Sequence, residues 1–422
     1  MATVKRKRLS RFAYGAILSS VIIGGTAPAI LNFTVDPFEF FQSGQHDKRR
    51  NEQTEKAHYP LWKFAHYKGN AEVVVLGDSR ARALRDKYWR EYSAAPAFNF
   101  AYGGGTIPEI YATFQAVKDD PKLKKLVVGI QLRSFDESHK DGLNRVPEAR
   151  KATQSAFSYL TNWFVARRSW ALFEEDNANL ARVVRSLVPN VVGRAVAANL
   201  GKPGRTSIDR LLQPDVCFGC ELPEGGELVE PPNTKGPNLG LGRNSRRQNT
   251  LYTGSLPKKF VRQVTKNAAS DWKGFQFSER YFQMIEEIAA WADAREDRQV
   301  TFVIPPTIVE MQSTIDAYGL SSLNRSLRER LANLGPVIDF DYRNPLTTDI
   351  SNFSDAYHFN AKVARAIVGE IMVVQGPTPE QAKRIEKRRR SDVICPNQHT
   401  TATEETSENF TIGQSCRVWK GK

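Results

Sequence analysis

Short runs of apolar residues alternate with amphipathic segments in two parts of the chain. A buried parallel strand reads as a continuous apolar run of about four to eight residues, commonly bounded by glycine or proline. This pattern predicts five strands, at residues 72–76, 97–101, 125–132, 299–304 and 337–340. Apolar residues at helical spacing predict helices at residues 108–117, 282–294, 321–333 and 361–374. Strands that alternate with helices are typical of α/β domains built around a parallel sheet.

The alternation is lost between the third and the fourth predicted strand. This stretch contains aromatic helical pieces and then a segment rich in proline, glycine and asparagine. We therefore predict one α/β domain formed by residues 71–139 and 276–375, interrupted by an insertion at residues 140–275. Residues 36–70 form a helix-prone connector to this domain, and residues 376–422 form a basic and then polar tail.

A long uncharged segment lies near the N-terminus. Residues 12–35 contain no charged side chain, and a helix of about 20 residues is enough to cross the hydrocarbon core of a bilayer. Residues 1–11 carry five basic residues and no acidic one, which is typical of a cytoplasmic flank. We predict a single-pass inner-membrane protein with a cytoplasmic tail at 1–11, a signal anchor at 12–35 and a periplasmic C-terminal part. A cleaved signal peptide, cut near Ala27-Pro28-Ala29, is the alternative.

Composition and charge narrow the class of protein. The chain has 422 residues, of which 41% are hydrophobic and 25% charged, which excludes a disordered chain and a polytopic membrane protein. The formal net charge is +14. Much of it lies at the two ends, in residues 1–11 and 383–390, rather than on the predicted domain. Positive charge concentrated at the two ends of the chain indicates a membrane-topology signal and a solvated tail. We therefore expect no nucleic-acid partner.

The chain contains four cysteines, and an exported protein favours disulfides. Cys217 and Cys220 are close enough for a local bridge, which would leave Cys395 to pair with Cys416. A zinc site, a redox Cys-x-x-Cys motif and free thiols remain alternatives. Pro214 and Gly219 indicate a loop, whereas a redox motif normally begins a helix.

Three segments carry residues suited to nucleophilic catalysis. Gly77-Asp78-Ser79-Arg80 ends the first predicted strand, and ligands bind at the carboxyl edge of a parallel sheet. Asp355 and His358 stand three residues apart just before the last helix, a spacing that lets the acid orient the imidazole towards a serine. Gly104 follows the second strand, where a glycine lets a backbone amide approach a developing oxyanion.

These segments occur in the order found in the SGNH/GDSL hydrolase superfamily, which the chain resembles over about residues 71–136 and 280–375. The resemblance implies a three-layer α/β/α sandwich, with a five-stranded parallel sheet of order 2-1-3-4-5, and no cofactor or metal. It implies that Ser79 is the nucleophile, His358 the base and Asp355 the residue that orients the base. The backbone amides of Ser79 and Gly104 would form the oxyanion hole.

The third sequence block departs from the family. The family has Gly-x-Asn-Asp after the third strand, where the asparagine donates to the oxyanion, but residues 131–136 read Gln-Leu-Arg-Ser-Phe-Asp. Arg133 and Ser134 are candidates for the missing donor. The chain is also similar to extracytoplasmic bacterial SGNH proteins, among them alginate O-acetyltransferase accessory proteins, through its anchor, its early Asp36-Pro37 and its Pro108-Glu109.

This second resemblance implies serine-dependent acyl-ester chemistry on a cell-surface glycan. The chain would act as an O-acetyltransferase or an esterase, with a membrane-bound O-acyltransferase as a candidate partner. The alternative is a catalytically silent glycan-binding or scaffold protein of a polysaccharide export or modification system. A lipase would need an apolar acyl groove, which the polar insertion does not indicate.

Overall fold

The structure is a computed structural model that describes residues 26–42, 48–93, 95–137, 144–178, 256–388, 399–401 and 416–420. The chain divides into two compact units. The first consists of Met1–His66 with Arg145–Asp215, and the second of Tyr67–Asn144 with Val216–Lys422. The fold is mixed α/β.

The second unit is built on one β-sheet. Its strands are β1 (Val73–Gly77), β2 (Ala97–Asn99), β3 (Lys125–Gly129), β4 (Gln299–Ile304), β5 (Val337–Asp339), β6 (His399–Thr401) and β7 (Arg417–Lys420). Across the sheet they follow the order β2-β1-β3-β4-β5-β7-β6. The first five strands pair in parallel, so their carboxyl ends meet at one edge. Strand β1 lies between β2 and β3, and every one of its residues is buried.

Helices connect and cover the strands of this unit. They are Ser79–Arg82, Asp86–Tyr92, Ile107–Val117, Lys258–Arg262, Ala268–Trp272, Glu279–Asp293, Val309–Ala317, Ser321–Ala332, Pro345–Thr348, Ala361–Val374 and Pro379–Arg388. The Ile107–Val117 helix begins with a capping box in which Thr106 and Glu109 satisfy each other's backbone amides. This helix and Glu279–Asp293 pack on each other and contact β1 and β4, respectively.

The first unit is helical in its described part. Residues 26–35 are helical, and the further helices are Lys48–Ala57, Tyr59–His66, Val146–Thr153, Ala156–Leu160 and Trp163–Asp176. A buried cluster joins the early and late segments of this unit, and it includes Phe38, Leu61, Ala149, Tyr159 and Val165. Residues predicted as a connector therefore share a core with residues predicted as an insertion.

The sheet is larger than the sequence predicts. We expected five parallel strands and a solvated tail after residue 375. Two strands of that tail join the sheet instead: β7 pairs antiparallel with β5, and β6 pairs with β7. Val418 and Trp419 are buried there. The sequence did not reveal these strands, because they are only three or four residues long and lie in a polar context. The tail also contributes the Pro379–Arg388 helix.

Some predictions fall on residues outside the described part of the chain. Residues 1–25 of the expected cytoplasmic tail and anchor are among them, as are Cys217, Cys220 and Cys395. Within the described ranges, no helix is both long enough and apolar enough to cross a membrane. Cys416 is disulfide-bonded, and its pairing with Cys395 stays a prediction.

Candidate active site

Ser79 lies just after the carboxyl end of strand β1, which is buried between β2 and β3. It is the first residue of the Ser79–Arg82 helix, and Asp78 caps that helix by accepting a hydrogen bond from the backbone N–H of Arg80 at 2.9 Å. Strand β1 ends at Gly77, where the chain turns sharply into this helix. The serine hydroxyl is therefore presented at the edge of the sheet where the parallel strands end.

Small residues make this abrupt turn possible. Gly77 has φ +144°, and a Cβ added there would lie 2.6 Å from the carbonyl oxygen of Gly129 and 2.6 Å from the Cβ of Ala81. Gly77 and Gly129 are paired neighbours at the ends of β1 and β3. A Cβ on Gly129 would also lie 2.6 Å from that of Ala81. The helix that begins at Ser79 therefore packs directly on two glycines.

The loop before the Ala361–Val374 helix carries the other two predicted residues. One carboxylate oxygen of Asp355 accepts hydrogen bonds from the backbone N–H groups of Tyr357 and His358, each at 2.9 Å. The same carboxylate holds Nδ1 of His358 at 2.9 and 3.0 Å. Nε2 of the ring then lies 2.8 Å from Oγ of Ser79. Hydroxyl, imidazole and carboxylate thus form a continuous chain that can activate the serine as a nucleophile.

The electrostatics of the loop favour an ionised Asp355. Burial raises the pKa of this carboxyl, but the hydrogen bond and the positive charge of His358, with the two backbone amides, outweigh burial and lower the pKa to about 2. Burial also acts to raise the pKa of Asp78, yet Arg80 and His358 hold it below its usual value. Two carboxylates, those of Asp355 and Asp78, therefore stay ionised in this part of the site.

The predicted oxyanion segment packs against the nucleophile turn. Gly104 has φ +68°, which favours glycine. A Cβ on the next residue, Gly105, would lie 2.8 Å from the carbonyl oxygen of Gly77 and 3.5 Å from Cα of Asp78. The backbone N–H groups of Ser79 and Gly104 donate to no residue in the described part of the chain. Both remain able to donate to a ligand.

Arg80 links the nucleophile turn to the segment after β3. Its side chain is 2% exposed, pairs with the Asp78 carboxylate at 2.6 Å and donates to Oε1 of Gln131. Gln131 is the first residue of the block that departs from the SGNH pattern. The departure therefore has a structural role, because Gln131 is a partner for a buried guanidinium.

The two candidates for a third oxyanion donor have other contacts. The guanidinium of Arg133 lies 3.0 Å from the buried carboxylate of Asp271 and over the ring of Tyr357. The hydroxyl of Ser134 accepts a hydrogen bond from the backbone N–H of Gln131 at 3.3 Å. Arg133 is thus near the histidine loop, but its partner is a carboxylate.

A segment that sequence reasoning assigned to the insertion supports the histidine loop. Lys259 places Nζ 3.5 Å from Asp355, Gln263 accepts a hydrogen bond from the backbone N–H of Ala356 at 2.8 Å, and Asp271 accepts one from the Tyr357 hydroxyl at 2.8 Å. Gln263 begins a turn of π-helix, a feature common at functional sites. We refer to residues 258–272 as the support segment.

The role of the support segment could not be predicted from the sequence, because the segment contains no recognisable motif. Its polar residues lie about 90 residues before the loop that they contact, in a stretch without strand and helix alternation. Tyr357 could have been noticed, since it lies inside the Asp-x-x-His motif.

The described residues contain no group of three or more His, Cys, Asp or Glu side chains that could hold a metal ion. The site consists instead of a serine, an imidazole, carboxylates and unpaired backbone amides. In comparisons with known proteins, the chain matches no family model and no curated protein.

Proposed function

We propose that this protein is a serine-dependent enzyme of acyl-ester chemistry. The observation that carries the proposal is the chain of contacts from Ser79 Oγ to Nε2 of His358 and from Nδ1 to the carboxylate of Asp355. A serine hydroxyl is a weak nucleophile until an adjacent base takes its proton. Here the base and its orienting acid both lie within hydrogen-bond distance.

The mechanism follows from these contacts. His358 takes the hydroxyl proton as Ser79 attacks the ester carbonyl, and Asp355 stabilises the resulting imidazolium. The backbone amides of Ser79 and Gly104 donate to the oxyanion, each worth about 3–4 kcal/mol of barrier. His358 then returns the proton to the leaving alcohol as the acyl-serine forms. Water or a sugar hydroxyl, deprotonated by His358, attacks the acyl-serine and regenerates the free enzyme.

The proposed family is the SGNH/GDSL superfamily, with a three-layer α/β/α catalytic domain. Three features support it: the nucleophile block after the first strand, the glycine block after the second, and the Asp-x-x-His block before the last helix of the domain. The position of Ser79 at the carboxyl edge of the sheet agrees with that assignment.

The proposed substrate is an acyl ester of a cell-surface glycan, used by an O-acetyltransferase or an esterase. The proposed location is the periplasmic face of the inner membrane, with a single-pass N-terminal anchor. The uncharged run at residues 12–35 and its basic flank support the location. The resemblance to alginate O-acetyltransferase accessory proteins supports the substrate class and a membrane-bound O-acyltransferase as donor partner.

A catalytically silent glycan-binding or scaffold protein is the second candidate. The specific observation in its favour is the third block, where Arg133 pairs with Asp271 and no asparagine follows β3. An oxyanion hole of two backbone amides would then be weaker than the family's three donors.

A serine-reactive fluorophosphonate separates the two candidates. We expect the full chain in detergent to be labelled on Ser79, and the Ser79→Ala variant to remain unlabelled. Ser322→Ala is a matched control that should label like the wild type, because this exposed serine lies on the Ser321–Ala332 helix and forms no part of the site. A folded protein that reacts no faster than its Ser79→Ala variant would favour the scaffold. Hydrolysis of an acetyl ester with and without added sugar acceptor then distinguishes esterase from transferase.

A further inference from the structure

Five large apolar side chains are exposed in the described part of the first unit. They are Ile30 at 62%, Phe33 at 60%, Phe41 at 36%, Phe157 at 76% and Trp163 at 63%. A soluble surface commonly carries single exposed apolar residues, but large clustered ones mark an interaction site. We call these five residues the apolar patch.

Contacts beneath the patch place its members on one surface. The amide of Asn32 donates to the carbonyl of Leu160 at 2.8 Å, so the helical residues 26–35 lie against the segment between Phe157 and Trp163. The rings of Phe33 and Phe41 are 5.3 Å apart. The patch therefore surrounds the point where this helix enters the first unit.

The same contacts limit how far the uncharged run can lie in lipid. Asn32 is fully buried, and its side-chain oxygen accepts a hydrogen bond from the hydroxyl of Ser169 at 2.9 Å. Asp36, also fully buried, accepts one from the hydroxyl of Tyr159 at 2.9 Å. Asn32 and Asp36 therefore face the protein core, because their polar groups find their partners there. A membrane span in residues 12–35 would therefore end within about one helical turn of Ile30.

We infer that the apolar patch lies in the headgroup region of the membrane that the uncharged run crosses. Ile30 and Phe33 face outward on the helix that continues this run, and Phe157 and Trp163 flank the place where the helix docks. Tryptophan is well suited to this boundary, because its ring can lie among acyl chains while its indole N–H stays hydrated. Phenylalanine and isoleucine add apolar area on the side that faces the lipid. Arg167, exposed one turn after Trp163, can reach lipid phosphates from the same helix.

The inference rests on the proposed anchor and assigns a second contact with the bilayer. The anchor alone would leave the first unit free to rotate about a single connection. An apolar patch seated among the headgroups fixes that unit at one depth and in one orientation on the membrane surface.

Depth-dependent quenching of tryptophan fluorescence tests this placement in the full chain, reconstituted into phosphatidylcholine–phosphatidylglycerol vesicles. We expect lipids brominated near the headgroup end of their acyl chains to quench more strongly than lipids brominated near the methyl end. The Trp163→Phe variant should lose more than half of that quenching. Trp62→Phe, which alters a half-buried tryptophan of the same unit, should keep it. Phe157→Trp in the Trp163→Phe background should restore it.

Equal quenching of the wild type and the Trp163→Phe variant would overturn the inference. So would a Trp163 that neither bromine in lipid nor iodide in water can reach, because a second copy or a protein partner would then cover the patch. If alkaline carbonate released the chain from the vesicles, both the proposed anchor and this inference would be contradicted. Fluorophosphonate labelling of Ser79 reports separately on the proposed chemistry, and Trp163→Phe should leave it unchanged.

Discussion

The hydroxyl of Ser79 lies 2.8 Å from Nε2 of His358, although 279 residues separate them along the chain. Each residue is placed by local structure: Ser79 by the glycine turn at the end of β1, and His358 by the Asp355 carboxylate that holds both its ring and its backbone. The parallel sheet brings the two local structures to the same edge.

Asp355→Asn should lower kcat/KM nearly as much as His358→Ala. Within the described part of the chain, the only groups within hydrogen-bond distance of Nδ1 of His358 are the Asp355 oxygens. An asparagine oxygen can still accept from the amides of Tyr357 and His358, so the loop should keep its shape. The charge that stabilises the imidazolium is lost, and we expect a loss of about 10³–10⁴ in rate.

Steady-state kinetics on an acetyl ester measure this effect. Asp349→Asn is the matched control, since it makes the same chemical change at an exposed helix cap nearby and should leave kcat/KM unchanged. An Asp355→Asn enzyme with most of its activity would show that the carboxylate is not the orienting group.

Tyr357→Phe should impair the site through the support segment. The hydroxyl of Tyr357 donates to Asp271, which also pairs with Arg133. Because the acceptor is a buried carboxylate, losing this bond should cost about 1.5–3 kcal/mol of stability and leave the histidine loop less firmly held. We expect slower fluorophosphonate labelling of the folded protein. Tyr318→Phe, a half-buried tyrosine of the same unit, should label at the wild-type rate. Unchanged labelling of Tyr357→Phe would assign Asp271 a purely structural role.

Gly77→Ala should destabilise the second unit far more than Gly274→Ala. Both glycines have positive φ, +144° and +78°, so either alanine adds backbone strain of about 1–3 kcal/mol. Only at Gly77 would the new Cβ also lie 2.6 Å from a backbone carbonyl, that of Gly129. Urea unfolding of the two variants compares these costs. Equal losses would mean that the nucleophile turn can shift to make room.

His58 should make the first unit sensitive to acid. Burial, with a smaller contribution from Arg145, lowers the pKa of His58 to about 3. The unfolded chain binds a proton near pH 6.5 and the folded chain does not. Above pH 6.5, His58 therefore does not lower the free energy of unfolding. Between pH 6.5 and pH 3 it lowers that free energy by about 1.4 kcal/mol for each pH unit.

His58→Asn tests this prediction through the slope of stability against pH. Nδ1 of His58 accepts a hydrogen bond from the backbone N–H of Leu61 at 3.1 Å, at the start of the Tyr59–His66 helix. Asparagine is a good acceptor at a helix N-terminus but does not titrate. Thermal unfolding between pH 7 and pH 4.5 should show a shallower slope for the variant. An unchanged slope would assign the acid sensitivity to other groups.

Local pattern was enough to predict much of the fold. Strands β1 to β5 and the helix before β4 are marked by apolar runs and helical spacing, because burial of one segment imposes its own periodicity. Ser79, Asp355 and His358 could also be predicted, but from motifs rather than from periodicity. Each lies in a short motif at the boundary between a strand or loop and a helix.

Only the tertiary structure decided what supports these residues. Lys259, Gln263 and Asp271 meet the histidine loop through side-chain contacts across about 90 residues, and no periodicity encodes such a pairing. The antiparallel strand β7 was hidden for a related reason, because four residues at a sheet edge are defined by the strand they join. A sequence pattern records how deeply a segment is buried, whereas the choice of its partner depends on the shape and charge of distant residues.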